Sequence, residues 1–294
     1  MTHRRAAAWI VGACFLWSTA GVVVRLLDHA RSWEVAFWRS FFAALSMAAI
    51  LAVTRRREVF ATVRAAGWPG IVSGAMFCTM FTCFMLAITR TTVANTLVVN
   101  SLFPVFAAIL GAVVLRQAIR AYTWVAIAVA VAGMAWMFVS GLGPGLSGTL
   151  IAFAIPVAAA VNVVTLRKWG RSVDLAPAVL LGGTFSALIA LPFALPFESS
   201  AHDLVWLAAL GMFQLALPCT MLVAASRHLP PAEVALLTLL EAVLGPIWAW
   251  LGVGERPGAA TLAGGGIVLA AIAGNEMIAL YGPKKFRRVR AVKH

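Results

Sequence analysis

Charge is scarce in this 294-residue chain. Only 11% of its residues are charged, and just 10 are Asp or Glu. A soluble domain has about a quarter of its residues charged, so a freestanding water-soluble body is excluded for most of the chain. Chemistry-bearing side chains are equally sparse. The Asp residues (Asp28, Asp174, Asp203) and the His residues (His3, His29, His202, His228, His294) all read as loop or terminal positions. No His-Glu-x-x-His, acidic pair, Gly-x-Ser-x-Gly elbow or P-loop occurs. That argues against an intramembrane enzyme and against direct ATP drive. We assign no catalytic residue, no metal site and no cofactor. The 4 cysteines, Cys14, Cys78, Cys83 and Cys219, lack Cys-x-x-Cys spacing and read as small apolar packing residues.

Apolar residues are what the chain has in abundance: 62% are hydrophobic, and the mean hydropathy is +0.94. A spanning helix needs about 20 mostly apolar residues. Runs of that kind lie near 8–27, 33–53, 68–88, 93–115, 121–139, 147–166, 176–196, 204–225, 233–252 and 259–280. They predict an all-α membrane protein of ten transmembrane helices. The first run is too long for a signal-peptide core and reads as a retained helix.

The net charge of +13 could suggest nucleic acid, but its distribution points elsewhere. With ten helices, most of the basic residues fall on one side, in the loops around Arg55–Arg57, Arg116–Arg120, Arg167–Arg171 and Arg227 and in the tail after Tyr281. Basic loops stay cytoplasmic. Both termini are therefore expected inside an inner (cytoplasmic) membrane, with the tail on anionic headgroups. The expected partners are the lipid bilayer and a small-molecule substrate, with no nucleic acid, and the chain is expected to work as a monomer.

The halves also repeat. At an offset of 138 residues Trp68 falls on Trp206, Thr82 on Thr220, Ala94 on Ala232 and Thr123 on Thr261. "NSLFPVFAAILGAVVLRQ" (100–117) falls on "TLLEAVLGPIWAWLGVGE" (238–255). Five helices is an odd number, so the second copy must enter from the opposite face. Two inverted five-helix repeats are a secondary-transporter architecture with a midplane site. The expected units are 1–140, 147–281 and a basic tail over 282–294, with "GLGPGLSG" (141–148) as the turn between repeats.

Polar groups inside spans are costly and almost always face the bundle interior. On the ninth span Thr238, Glu241, Gly245 and Trp248 share a stripe; its counterpart on the fourth is Asn100, Phe103, Ala107 and Leu110, extended by Thr96. These stripes are expected to face each other across a central path. Cys78, Thr79, Thr82 and Cys83 share one side of the third span, and Gln214 and Thr220 lie on the eighth. Trp17, Ser18, Thr19 and Asn162 are candidates on the first and sixth, although Ser18 and Thr19 can bond back to their own helix. Pro104, Pro218 and Pro246 each free a carbonyl one turn earlier, and with Pro156 they are candidate hinges. Arg39 must snorkel outward or pair with an acid, as a structural or gating charge. Glu241 has three open roles: proton-coupling carboxylate, anchor for a substrate ammonium, or structural hydrogen-bond partner. Trp17 and Trp248 are placed to stack on a flat substrate or simply to pack.

Four stretches resemble one family. "LWSTAG" (16–21), "AFWRSFFAAL" (36–45), "LVVNSLFPVFAAILGAVVL" (97–115) and "ALLTLLEAVLGPIWAWLGVGER" (235–256) are similar to helices 1, 2, 4 and 9 of the EamA-type exporters of the drug/metabolite transporter superfamily. Here Glu241 is followed by Ala242 where that family often has Glu-Pro, and the first repeat ends in Arg116-Gln117 in place of Gly-Glu. "LWST" resembles the aromatic amino-acid exporter branch. The resemblance implies export of small metabolites, amino acids foremost. A multidrug or cationic-compound exporter of the same fold and a small-solute channel are the rival readings.

Overall fold

The computed structural model describes residues 1–20, 23, 27, 31–55, 59–91, 93–116, 119–138, 145–253 and 258–281. Outside them lie Gly21, Gln117, most of the expected turn between repeats (141–144), the Gly254-Glu255-Arg256 terminus and the basic tail.

Every regular element among the described residues is a helix. The first half runs α1 (His3–Trp17), α2 (Ser32–Arg55), α3 (Val59–Ala65), α4 (Gly67–Arg90), α5 (Val93–Asn100), α6 (Phe103–Leu115) and α7 (Ala121–Phe138). The second runs α8 (Leu146–Ala152), α9 (Ala154–Trp169), α10 (Pro177–Ala194), α11 (Ala201–Ala209), a π-helical stretch (Leu210–Ala216), α12 (Leu217–Ser226), α13 (Pro231–Thr238), α14 (Leu240–Val253) and α15 (Ala259–Tyr281).

Taken by length and apolarity, 8 helical stretches among the described residues suffice to cross a bilayer, beginning at Ser32, Gly67, Thr96, Leu146, Pro177, Ala201, Pro231 and Ala259. The apolar helix at Ala121–Met137 is shorter. α1 has 15 described residues, and the far end of the first expected span falls partly outside the described residues. The chain is thus a multi-pass all-helical bundle.

Packing follows the 138-residue offset. α2 lies against α10 and α7 against α15, each a pairing of counterparts, and α6 of the fourth span lies against α13 of the ninth. Two further contacts recur in exchanged form, α4 with α10 matching the π stretch with α2, and α4 with α9 matching α12 with α1, while α9 also packs on α6. The helix breaks obey the same register. The fourth span is interrupted at Ser101–Leu102 and the ninth at Leu239, the position matching Ser101.

Without a hydrophobic drive in lipid, helices associate by close packing at small residues. A Cβ on Gly264 of α15 would lie 2.5 Å from the Gly133 carbonyl oxygen and 2.6 Å from the Met137 nitrogen of α7. A Cβ on Gly182 of α10 would lie 2.4 Å from the Phe77 Cβ on α4. One apolar core runs through both halves, with Ile10, Met47, Phe77, Ile127, Leu166 and Leu236 buried in it.

Two loop assignments are corrected. Asp203 and His202 lie in the first turn of α11. The Ser200 hydroxyl accepts from the Asp203 N–H at 3.0 Å and the Asp203 carboxylate accepts from the Ser200 N–H at 3.1 Å, a capping box that starts the helix there. His3 opens α1, behind Thr2 as N-cap.

Candidate functional site

A cavity of about 170 Å³ lies between the halves. Several of its lining residues flank the helix breaks, Asn100 and Phe103 about Ser101–Leu102 and Thr238 and Glu241 about Leu239. Of the residues singled out from sequence, it brings together Trp17, Arg39, Asn100, Phe103, Asn162, Gln214, Thr238 and Glu241. Phe77, Phe81, Phe84, Met80 and Leu215 supply apolar wall. The fourth- and ninth-span stripes do meet the same hollow, through Asn100 and Phe103 on one side and Thr238 and Glu241 on the other. Gly245, Ala107 and Leu110 do not line it.

Local structure explains the polar groups. Just past the end of α1 the Ser18 and Thr19 hydroxyls bond back to the carbonyls of Phe15 (2.9 Å) and Leu16 (2.7 Å). The carbonyl of Trp17 accepts from Gln214 Nε2 at 3.2 Å. Gln214 lies in the π-helical stretch just ahead of Pro218, which has no N–H and whose ring clashes with a carbonyl four residues back. Wider π register relieves that conflict and is often found at functional positions. Arg39 is carried by α2 where it crosses the π stretch at backbone distance: a Cβ on Gly211 would meet the Arg39 carbonyl oxygen at 2.8 Å and Phe42 Cβ at 2.5 Å. Asn162 of α9 accepts from Ser73 Oγ at 2.6 Å.

What these groups lack is equally informative. Arg39 is 7% exposed, Gln214 6% and Asn162 1%. Arg39 Nε, Gln214 Oε1 and Asn162 Nδ2 are buried without a hydrogen-bond partner. Such a group costs about 1–3 kcal/mol when left unmet. Arg39 neither snorkels nor pairs: it makes no ion pair within 4.0 Å among the described residues, and neither does Glu241.

Other sequence candidates lie off the cavity. Trp248 donates its indole N–H to Ser18 Oγ at 2.8 Å. Thr79 bonds back to the Ala75 carbonyl at 2.9 Å. Thr82 lies 4.0 Å from Cys78 Sγ and shares a hydrogen bond with Ser186 Oγ at 3.2 Å, which also accepts from Ser40 at 3.0 Å. Thr96 is fully buried. Pro104 lies in the first turn of α6, where a missing N–H costs nothing, whereas Pro218 follows directly on the π stretch. Pro156 sits in the first turn of α9, and Pro246 is inside α14.

Two charged clusters escaped sequence reading, because each joins chain segments far apart. His3 Nε2 stands 3.4 Å from Glu233 and 3.5 Å from Glu276, the one group of potential metal-ligating side chains found among the described residues. At the other end of the bundle, Glu34 accepts from the N–H groups of Glu198 and Ser199, both at 2.9 Å, and from Arg31 Nε at 3.0 Å. A second crevice of about 240 Å³, between Trp68, Leu110, Val161 and Trp169, is nearly all apolar. Its Thr165 hydroxyl is already bonded to the Val161 carbonyl at 2.8 Å.

Comparison with known proteins fits this geometry. The model of the EamA-like transporter family matches twice, over residues 4–139 and 146–276. No curated protein matches. A crystal structure of another protein superposes with a TM-score of 0.79, covering 95% of this chain and 100% of that one at 18% identity. At that identity the likeness concerns the fold alone.

Proposed function

From the premise that this chain belongs to the EamA-like transporter family, we propose that it is a secondary exporter of small metabolites, amino acids with aromatic or other neutral side chains foremost. The observation that carries this reading is the cavity shared by both repeats, walled by Trp17, Phe77, Phe81, Phe84 and Phe103 with sparse polar groups between them. Such a wall suits a solute with an apolar side chain. It does not suit a phosphorylated one, which would need clustered Arg or Lys.

In this reading ten helices form two inverted repeats (1–140 and 147–281), both termini and the 282–294 tail are cytoplasmic, and the membrane is the inner one. The exchanged helix pairings and the matched breaks at Ser101 and Leu239 support the two-fold relation. The third and fourth spans rock against the eighth and ninth, exposing the cavity to each side in turn. The chain works as a monomer, as a transporter and not an enzyme.

Export of cationic compounds is the second reading, favoured by Glu241 in an aromatic hollow; Arg39 in the same hollow opposes a lone cation. Counterflow across proteoliposomes separates the readings. Saturable, trans-stimulated exchange of phenylalanine or leucine, unaffected by cationic dyes, is expected. Exchange of the dyes alone would replace amino acids as the cargo. Non-saturable flux without trans-stimulation would make the protein a channel.

A further inference from the structure

We infer that the cavity is a bipolar receptor in which Arg39 receives the anionic end and Glu241 the cationic end of one zwitterionic solute. This inference deepens the exporter reading and rests on it.

The argument starts from cost. A charged group taken out of water loses several kcal/mol of solvation unless a partner meets it. Arg39 is a permanent cation, and it is 7% exposed with its Nε unmet. Among the described residues no carboxylate comes within 4.0 Å of it and no carbonyl bonds it. It does not lie in a dry core either, because it lines the cavity. A guanidinium kept buried, unbonded and facing a hollow is a site waiting for an acceptor. Its planar fork matches a carboxylate.

Glu241 lines the same hollow from the ninth span, equally without an ion pair. The two groups stand too far apart to satisfy each other in this state. One solute carrying both charges can satisfy both. Asn162 Nδ2 and Gln214 Oε1, the other two buried unmet atoms on the lining, add a donor for an anionic end and an acceptor for a cationic end. Each kind of unmet protein group thus has its complement on an α-amino acid, while the aromatic wall takes the side chain. A bare cation would leave Arg39 stranded and a bare anion would leave Glu241 stranded. That is discrimination by what goes unpaired.

The experiment uses three matched solutes in proteoliposome counterflow: phenylalanine, phenethylamine, which lacks the carboxylate, and 3-phenylpropionate, which lacks the ammonium. Wild type should exchange phenylalanine with a half-saturation concentration about tenfold or more below either analogue. Arg39→Gln should raise that constant for phenylalanine about tenfold or more while phenethylamine is held as well as before or better. Glu241→Gln should do the converse, sparing 3-phenylpropionate. Arg39→Lys should recover part of the loss, because charge returns without the fork. Folding is checked by monodispersity and by the melting temperature in detergent. If a variant fails those checks, the wild-type ranking of the three solutes decides alone.

Wild-type preference for either single-charge analogue, or an Arg39→Gln variant whose solute ranking matches wild type, overturns the bipolar assignment and leaves the exporter reading standing. Exchange of none of the three, or of any comparable solute, overturns both.

Discussion

Trp248 on α14 donates its indole N–H to the hydroxyl of Ser18 at 2.8 Å, across 230 residues of sequence. Ser18 is already donating to the Phe15 carbonyl at 2.9 Å, so its oxygen is oriented to accept. The bond ties the ninth span to the end of α1 at the cavity's edge, and the Trp248 ring meets Phe15 edge-on at 6.3 Å. Read from sequence, both residues point to the substrate path; in the fold each is the other's partner. Trp248→Phe and Ser18→Ala should therefore be coupled. A double-mutant cycle on unfolding in detergent should return about 1 kcal/mol, the range measured for hydrogen bonds between membrane helices. Additive effects would mean the bond contributes nothing.

Two glycines two residues apart on α15 give a sharper contrast. A Cβ at Gly264 meets backbone atoms of α7 at 2.5–2.7 Å, whereas a Cβ at Gly266 meets nothing within 4 Å. Backbone cannot rotate aside as a side chain can. Gly264→Ala should destabilise by about 1–3 kcal/mol, and Gly266→Ala should be neutral or slightly stabilising. Melting temperatures of the two variants in one detergent check the pair; equal shifts would contradict the close crossing of α7 and α15.

At the opposite end from His3, Glu34 is fully buried and gathers four donors from Arg31, Glu198 and Ser199. Two of those donors are backbone N–H groups of the stretch leading into α11. Glu34→Ala should cost about 1.5–3 kcal/mol, the scale of hydrogen bonds to a charged group. Because backbone donors share the load with an exposed Arg31, the penalty should persist in high salt. A penalty that vanishes at 1 M NaCl would reduce the cluster to a screened surface pair.

The sequence made the cavity's skeleton legible where periodicity alone suffices. Asn100, Thr238 and Glu241 fall on stripes that any α-helix would present together, and the 138-residue offset carries over to the breaks at Ser101 and Leu239. It could not show who satisfies whom. Thr82 meets Ser186 and Ser73 meets Asn162 across 104 and 89 residues, and only packing decides such pairs. Arg39 was legible as an anomaly, but its lack of a partner was not, since absence of a contact is a property of the whole bundle. The Asp203 loop assignment overlooked a local signal: Ser200-x-x-Asp203 ahead of an apolar run is a helix start. The interfacial glycines carry no local signal at all, because what a Cβ would strike belongs to another helix.

The π-helical stretch offers the most direct test of how the fold aims a cavity side chain. Pro218 lacks an N–H and obstructs ordinary α register behind it, and the stretch Leu210–Ala216 absorbs the conflict with its wider turn. Each residue of helix advances about 100° around the axis. Removing the one-residue excess would therefore swing Gln214 well away from the Trp17 carbonyl it now holds. Pro218→Ala permits that relaxation, and removing a proline from a helix favours regular register by up to about 3 kcal/mol. The expected result is a variant as stable as wild type, or more so, that exchanges solute more slowly. This combination separates a displaced side chain from a damaged fold. Melting temperature and initial counterflow rate, measured on one preparation, check it. Wild-type exchange in a stabilised Pro218→Ala protein would show that the orientation of Gln214 is immaterial to transport.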